Sequence, residues 1–209
     1  MLHNKLEVIT TNMPQNQESL LHISAPNSRR IKELISENSL DEEYISSLNN
    51  KLKVLEMINY DSLFNKMHGT PKQIVHGDFY LDNLIFTEGM KWKIIDYEQA
   101  GMFYKDYEIA RALFMICYNP NDNSSNNLNK IYSFLNGYRQ YNSFKDINYI
   151  IELFLYSTAN SLYCFEDWNN LNQSNKEFAM YKNKMLMWII KNKEKISQQR
   201  LKELYDIDR

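Results

Sequence analysis

The spacing of apolar residues changes twice along this chain, and that change limits the fold to helices interrupted by one short β segment. After the capping signal Ser39-Leu40-Asp41-Glu42, Tyr44, Ile45, Leu48, Leu52, Leu55 and Ile58 recur at helical intervals. A shorter helix over 28–37 precedes them. Residues 1–27 are polar and weakly patterned, and Pro14 and Pro26 favour loop there. Between Gln73 and Asp96 the rhythm becomes β-like, with short runs at Gln73–Val75, Leu84–Phe86 and Trp92–Ile95. The last two are separated by Thr87-Glu88-Gly89-Met90-Lys91, a hairpin loop with its glycine. From about Asp106 the helical interval returns, predicting helices over 106–118, 127–140, 145–166 and 174–198, with polar loops at 119–126 and 169–174. No internal repeat is present. The expected fold class is α+β, mostly α, with a small central β hairpin.

Composition narrows the function classes. The chain's 209 residues suffice for one substantial domain. A formal net charge of -2, with no basic stripe, speaks against nucleic acid as a partner. Apolar runs such as Ile150 to Tyr156 are too short to cross a bilayer, so no membrane partner is expected. The first residues lack the apolar core of a secretory signal. Cys117 and Cys164 each lie within an apolar helical pattern and lack CxxC spacing, which reads as two buried thiols in a reducing cytoplasm. His3, His22 and His68 lack the spacing of zinc ligands.

Polar residues suited to chemistry concentrate in the β segment. Asp78 lies just beyond an apolar strand, Asn83 follows five residues later, and Asp96 ends the next apolar strand. A carboxylate at a strand end can converge on one point with an Asn and an Asp one hairpin apart. Phosphoryl transfer needs such a set: one carboxylate takes the proton of the attacking hydroxyl, and oxygen ligands hold Mg2+ against the phosphates. One Asn and one Asp suffice for an ion that keeps several of its waters. Asp78 and Asn83 also suit a turn cap, since both residue types bond local backbone readily, but that reading leaves Asp96 without a part.

His76-Gly77-Asp78 with Asn83 resembles the HGDxxxxN catalytic loop of the aminoglycoside phosphotransferase and choline kinase family, small-molecule relatives of protein kinases. Ile94-Ile95-Asp96-Tyr97-Glu98 is similar to the family's IDxE segment. Ala100-Gly101 through Glu108-Ile109-Ala110-Arg111 resembles its AG…DLAR segment, with Glu108 where Asp is usual. Phe134-Leu135-Asn136-Gly137-Tyr138 resembles its later FxxGY helix.

The resemblance implies that Asp78 is the catalytic base, that Asn83 and Asp96 bind Mg2+, and that ATP is the phosphate donor. It gives His76 the task of holding the loop. Glu98 is read either as a partner supporting the metal site or as a surface residue, Glu108 as a cap or a partner of a backbone amide, and Arg111 as the partner of a neighbouring acid. Tyr163, Glu166, Asp167 and Trp168 fall where the family's helical subdomain contributes substrate contacts, without a motif to align them, and the Trp and Tyr of 156–168 are read either as core or as a substrate platform.

By this resemblance the chain is the helical C-lobe of a protein-kinase-like fold. The family's amino-terminal lobe is strand-rich, with a glycine loop over the phosphates and a strand lysine. No glycine precedes Gly69, and 1–70 shows no run of alternating strands, so this lobe is expected to be missing or separately encoded. The expected organisation is a single domain over 1–209: leading helices at 1–72, catalytic loop, hairpin and metal site at 73–118, and a helical substrate-binding subdomain at 119–209. The function this implies is transfer of the ATP γ-phosphate to a hydroxyl of a small molecule. The alternative is a catalytically inactive lobe remnant or binding module. No motif reports the acceptor or the oligomeric state.

Overall fold

The computed structural model describes residues 25–37, 41–88, 91–142 and 146–206. In chain order these form α1 (Ser28–Glu37), α2 (Glu42–Met57), α3 (Tyr60–His68), β1 (Lys72–Val75), β2 (Leu84–Thr87), β3 (Lys91–Ile94), β4 (Gly101–Tyr104), α4 (Lys105–Cys117), α5 (Ser124–Arg139), α6 (Ile147–Asn160) and α7 (Gln173–Asp206). The fold is α+β and mostly α, as the apolar spacing requires. The described residues gather into two compact units, one over 66–150 and the other formed by 25–65 with 151–206. No described helix is long and apolar enough to cross a membrane.

In the unit containing α2, helical spacing puts Tyr44, Leu48, Lys51 and Leu55 on one buried stripe. Asp41 is the N-cap, and its Oδ1 accepts the Tyr44 N–H at 2.9 Å. Ser39, the cap expected from sequence, lies outside the described residues. The other Asp41 oxygen accepts the Trp168 indole N–H at 2.8 Å. The Tyr44 amide first, and then Trp168, hold the Asp41 carboxyl below its usual pKa. Tyr44 packs on Trp168 at 5.0 Å and on Phe165 at 5.8 Å between ring centroids, and its hydroxyl donates to the Phe165 carbonyl.

Helix α6 stops at Asn160, six residues before the predicted end at 166. The carbonyls of Thr158 and Ser161 turn to the Lys51 ammonium, at 2.7 and 2.8 Å, instead of continuing a helical ladder. The Asn160 side-chain oxygen accepts the Asn27 main-chain N–H, and Asn27 Nδ2 donates back to the Asn160 carbonyl. Cys164 then takes a left-handed conformation at φ 70°. These bonds join segments more than 100 residues apart, which a local pattern cannot register.

The other unit holds two antiparallel sheets of two strands each. β2 pairs with β3 in the register Leu84↔Ile94 to Thr87↔Lys91, the predicted hairpin. Its loop residues Gly89 and Met90 lie outside the described residues. β1 pairs with β4 from Lys72↔Tyr104 to Val75↔Gly101, a partnership the sequence reading did not anticipate. Phe103 and Tyr104 are buried, and α4 follows immediately. Leu113 and Phe114 of α4 are both fully buried, each worth about 2–3 kcal/mol. Cys117 and Cys164 are buried free thiols, as read from sequence.

Candidate active site

β1 delivers the chain to His76-Gly77-Asp78. His76 is fully buried; its Nδ1 faces the Asp78 N–H at 3.3 Å and its Nε2 faces the Ile95 carbonyl at 2.8 Å. One tautomer serves both contacts, with Nδ1 accepting and Nε2–H donating. The Tyr97 ring lies 4.7 Å from the imidazole. His76 thereby ties the loop to the end of β3.

Gly77 has φ +82°, and a Cβ there would run into the main-chain carbonyl of Gln99. Only glycine meets both conditions without strain. Its peptide groups are gripped by α4: Glu108 Oε1 accepts the Gly77 N–H at 2.8 Å, and Arg111 Nη1 donates to the Gly77 carbonyl at 2.6 Å. Arg111 Nη2 also pairs with Asp78 Oδ1 at 2.7 Å. Glu108 and Arg111 stand three residues apart on one helix, so both reach the same loop. Burial works against the Arg111 charge, but Tyr107, Asp78 and Glu108 outweigh it and raise its pKa. The expectation that Glu108 meets a backbone amide and Arg111 a neighbouring acid holds. That the acid is Asp78 was not foreseen, although the shared face of 108 and 111 was the available signal.

Asn83 ends a 3₁₀ turn, Leu81–Asn83, and is buried. Its Nδ2 donates to the Asp78 carbonyl at 2.8 Å and lies 3.4 Å from Asp78 Oδ2. Its main-chain carbonyl accepts the Ile95 N–H at 3.0 Å, extending the hairpin by one bond and placing Asn83 beside the residue preceding Asp96. Asp96 is exposed in a left-handed conformation, φ 61° and ψ 65°. Glu98 and Asp82 are exposed. The Tyr80 pKa is raised first by burial and then by the carboxylates of Asp78, Asp82 and Asp96, with Arg111 opposing.

The donor chemistry fits a magnesium ion. With Nδ2 committed to Asp78, Asn83 has Oδ1 left to offer, and Asp96 adds a carboxylate at the same end of the hairpin. Two hard oxygen donors suit an ion that fills its other positions with water and phosphate. Among the described residues no three His, Cys, Asp or Glu side chains form a metal cluster.

The substrate-contact residues expected from sequence belong to the other compact unit. Tyr163, Glu166 and Asp167 line an open cleft of about 500 Å³ together with Arg30 and Cys164. Arg30 Nε lies 3.6 Å from Glu166 Oε1, and Asp167 Oδ1 accepts from Asn170. Trp168 is not part of the cleft lining; it is 5% exposed and bonded to Asp41.

A family model described as "Phosphotransferase enzyme family" matches residues 13–144. That is well over half of the chain, which therefore belongs to the aminoglycoside phosphotransferase/choline kinase-like family. No curated protein matches the chain. Among solved structures it is similar to an amicoumacin kinase in complex with AMP-PNP, Ca2+ and Ami, at 18% identity and a TM-score of 0.45, covering 82% of this chain and 59% of that one. It is also similar to a Plasmodium vivax ethanolamine kinase, at 19% identity and a TM-score of 0.41, covering 88% and 53%. The chain thus spans between half and three-fifths of the length of these two structures.

Proposed function

We propose that this chain carries the catalytic base and metal ligands of a small-molecule kinase, moving the γ-phosphate of ATP to a hydroxyl of its acceptor. The observation that carries this reading is the Asp78–Asn83 arrangement. The amide nitrogen of Asn83 is fixed on Asp78, its amide oxygen remains to be offered to a cation, and the Asp96 carboxylate stands at the same hairpin end.

In this reading Asp78 accepts the proton of the acceptor hydroxyl as its oxygen attacks the γ-phosphorus. The bond from that phosphorus to the β–γ bridging oxygen breaks, and ADP leaves with the electron pair. Asn83 and Asp96 would hold Mg2+, which when bound supplies charge neutralisation at the phosphate oxygens. His76 keeps Asp78 in register through Ile95. Glu98, exposed on the 3₁₀ turn after Asp96, is the nearest further carboxylate in sequence to support that ligand.

The test is ADP release, followed with Mg·ATP and a panel of small hydroxylated acceptors. Asp78→Asn is expected to lower transfer by roughly 10²–10⁴-fold, the usual worth of a positioned general base, with an unchanged unfolding midpoint. Turnover equal to that of the native chain overturns the assignment.

A further inference from the structure

Arg111 makes two short bonds to consecutive residues of one loop, to the Gly77 carbonyl at 2.6 Å and to Asp78 Oδ1 at 2.7 Å. A planar guanidinium has fixed angles between its N–H groups, so gripping both acceptors locks the Asp78 carboxylate relative to its own backbone. A lysine ammonium could satisfy either acceptor but would not impose that relation.

The two oxygens of Asp78 thereby become different. Oδ1 is engaged by Arg111, while among the described residues Oδ2 meets the Asn83 amide nitrogen at 3.4 Å, the long limit of a hydrogen bond. The loop backbone has an anchor of its own. Glu108, one turn earlier on α4, takes the Gly77 N–H, and His76 ties the loop to Ile95. Retention of the loop is therefore shared among Arg111, Glu108 and His76, whereas the Asp78 carboxylate is oriented by Arg111.

We infer that Arg111 is a positioning residue for Asp78, fixing Oδ1 and the Gly77 carbonyl together so that Oδ2 is the oxygen that receives the acceptor's proton. This deepens the kinase reading and rests on it. Arg111 touches neither phosphate nor acceptor in this role; it acts through Asp78. The transfer step is unchanged in its balance: the hydroxyl proton goes to Oδ2, the phosphoryl group to the hydroxyl oxygen, and ADP departs.

The experiment compares Arg111→Ala and Arg111→Lys with the native chain. For Arg111→Ala, kcat is expected to fall by about 10²-fold, the scale of a misplaced reacting group, while KM for Mg·ATP and the unfolding midpoint hold. Added guanidinium ion should restore part of kcat in the alanine variant and none in the native chain. Arg111→Lys should fall between the two. A native kcat in Arg111→Ala overturns the inference, as does a joint collapse of kcat, KM and midpoint without guanidinium rescue. The second arm does not depend on turnover. In a crystal structure of Arg111→Ala the Asp78 side chain should leave its native rotamer, while hydrogen exchange shows the Gly77 amide still protected by Glu108. An unmoved Asp78 side chain overturns the inference even where no acceptor is turned over. Absence of transfer by the native chain would instead overturn the kinase reading and leave the structural arm to decide the place of Arg111.

Discussion

Arg111 and Lys51 both bond main-chain carbonyls where the chain changes direction, yet their surroundings differ in kind. Arg111 shares its guanidinium with a carboxylate whose side chain is 25% exposed, and is itself 27% exposed. Lys51 is 4% exposed and meets two carbonyls and the face of Phe165, whose centroid lies 4.8 Å from its Nζ. Burial pushes the Lys51 pKa well below its ordinary value, with the Lys182 charge adding to the shift. A cation at a solvent edge, paired with a titratable group, can serve chemistry. A sealed amine bonded to backbone serves the fold. The two regions are therefore expected to respond differently to substitution: under the proposed function the Asp78 loop loses activity with little stability at stake in any one side chain, and the α6 terminus loses stability.

The largest expected effect breaks this contrast at its one exception, the loop glycine. Gly77→Ala introduces a side chain at φ +82° against the Gln99 carbonyl, and should cost roughly 3 kcal/mol in urea unfolding together with all transfer activity. A stable, active alanine variant would show that the loop conformation is not the one described.

Lys51→Met should cost about 2 kcal/mol, because the Thr158 and Ser161 carbonyls lose their donor. It should also flatten the pH dependence. With a folded pKa below 10.5, the unfolded chain binds more protons across the interval between the two values, so stability rises with pH through that interval. Unfolding midpoints measured at successive pH values below 10.5 should climb as the lowered folded pKa is passed in the native chain, and lose that component in Lys51→Met. An unchanged slope would mean that the amine stays charged when buried. The smallest effect is Trp168→Phe, which removes the indole N–H from Asp41 and should cost about 1 kcal/mol by thermal unfolding. Transfer rates should stay native, and a large loss of activity would assign Trp168 to the substrate after all.

Much of this was legible before the structure. The stretch from His76 to Asn83, the β2–β3 hairpin and the helices α1, α2, α4 and α5 follow from local spacing, because the residues that set them are near neighbours. What escaped depends on distance in sequence. β4 is four residues long and gains its meaning only from β1, about 30 positions away. The early end of α6 depends on Lys51, more than 100 positions back. A signal did exist there: Lys51 falls on the stripe of Tyr44, Leu48 and Leu55, where a charge demands a buried partner. The candidate site residues could be named from the sequence as a list. The reach of Arg111 across to Asp78 could not be read there, because helix spacing says which side chains share a face and not which loop they meet.

The exposed side chains of the β2–β3 hairpin have an optical consequence. Trp92 is 58% exposed and rests edge-on against Phe86, with 4.4 Å between ring centroids, whereas Trp168 is enclosed and bonded to Asp41. The three indoles of the chain are thus unequal light sources. A water-borne quencher reaches the one on the hairpin and spares the one behind Asp41. The emission such a quencher removes then reports first on the strand pair that follows Asn83, while the aromatic packing around Tyr44 stays in the protected part and the half-buried Trp188 of α7 falls between them.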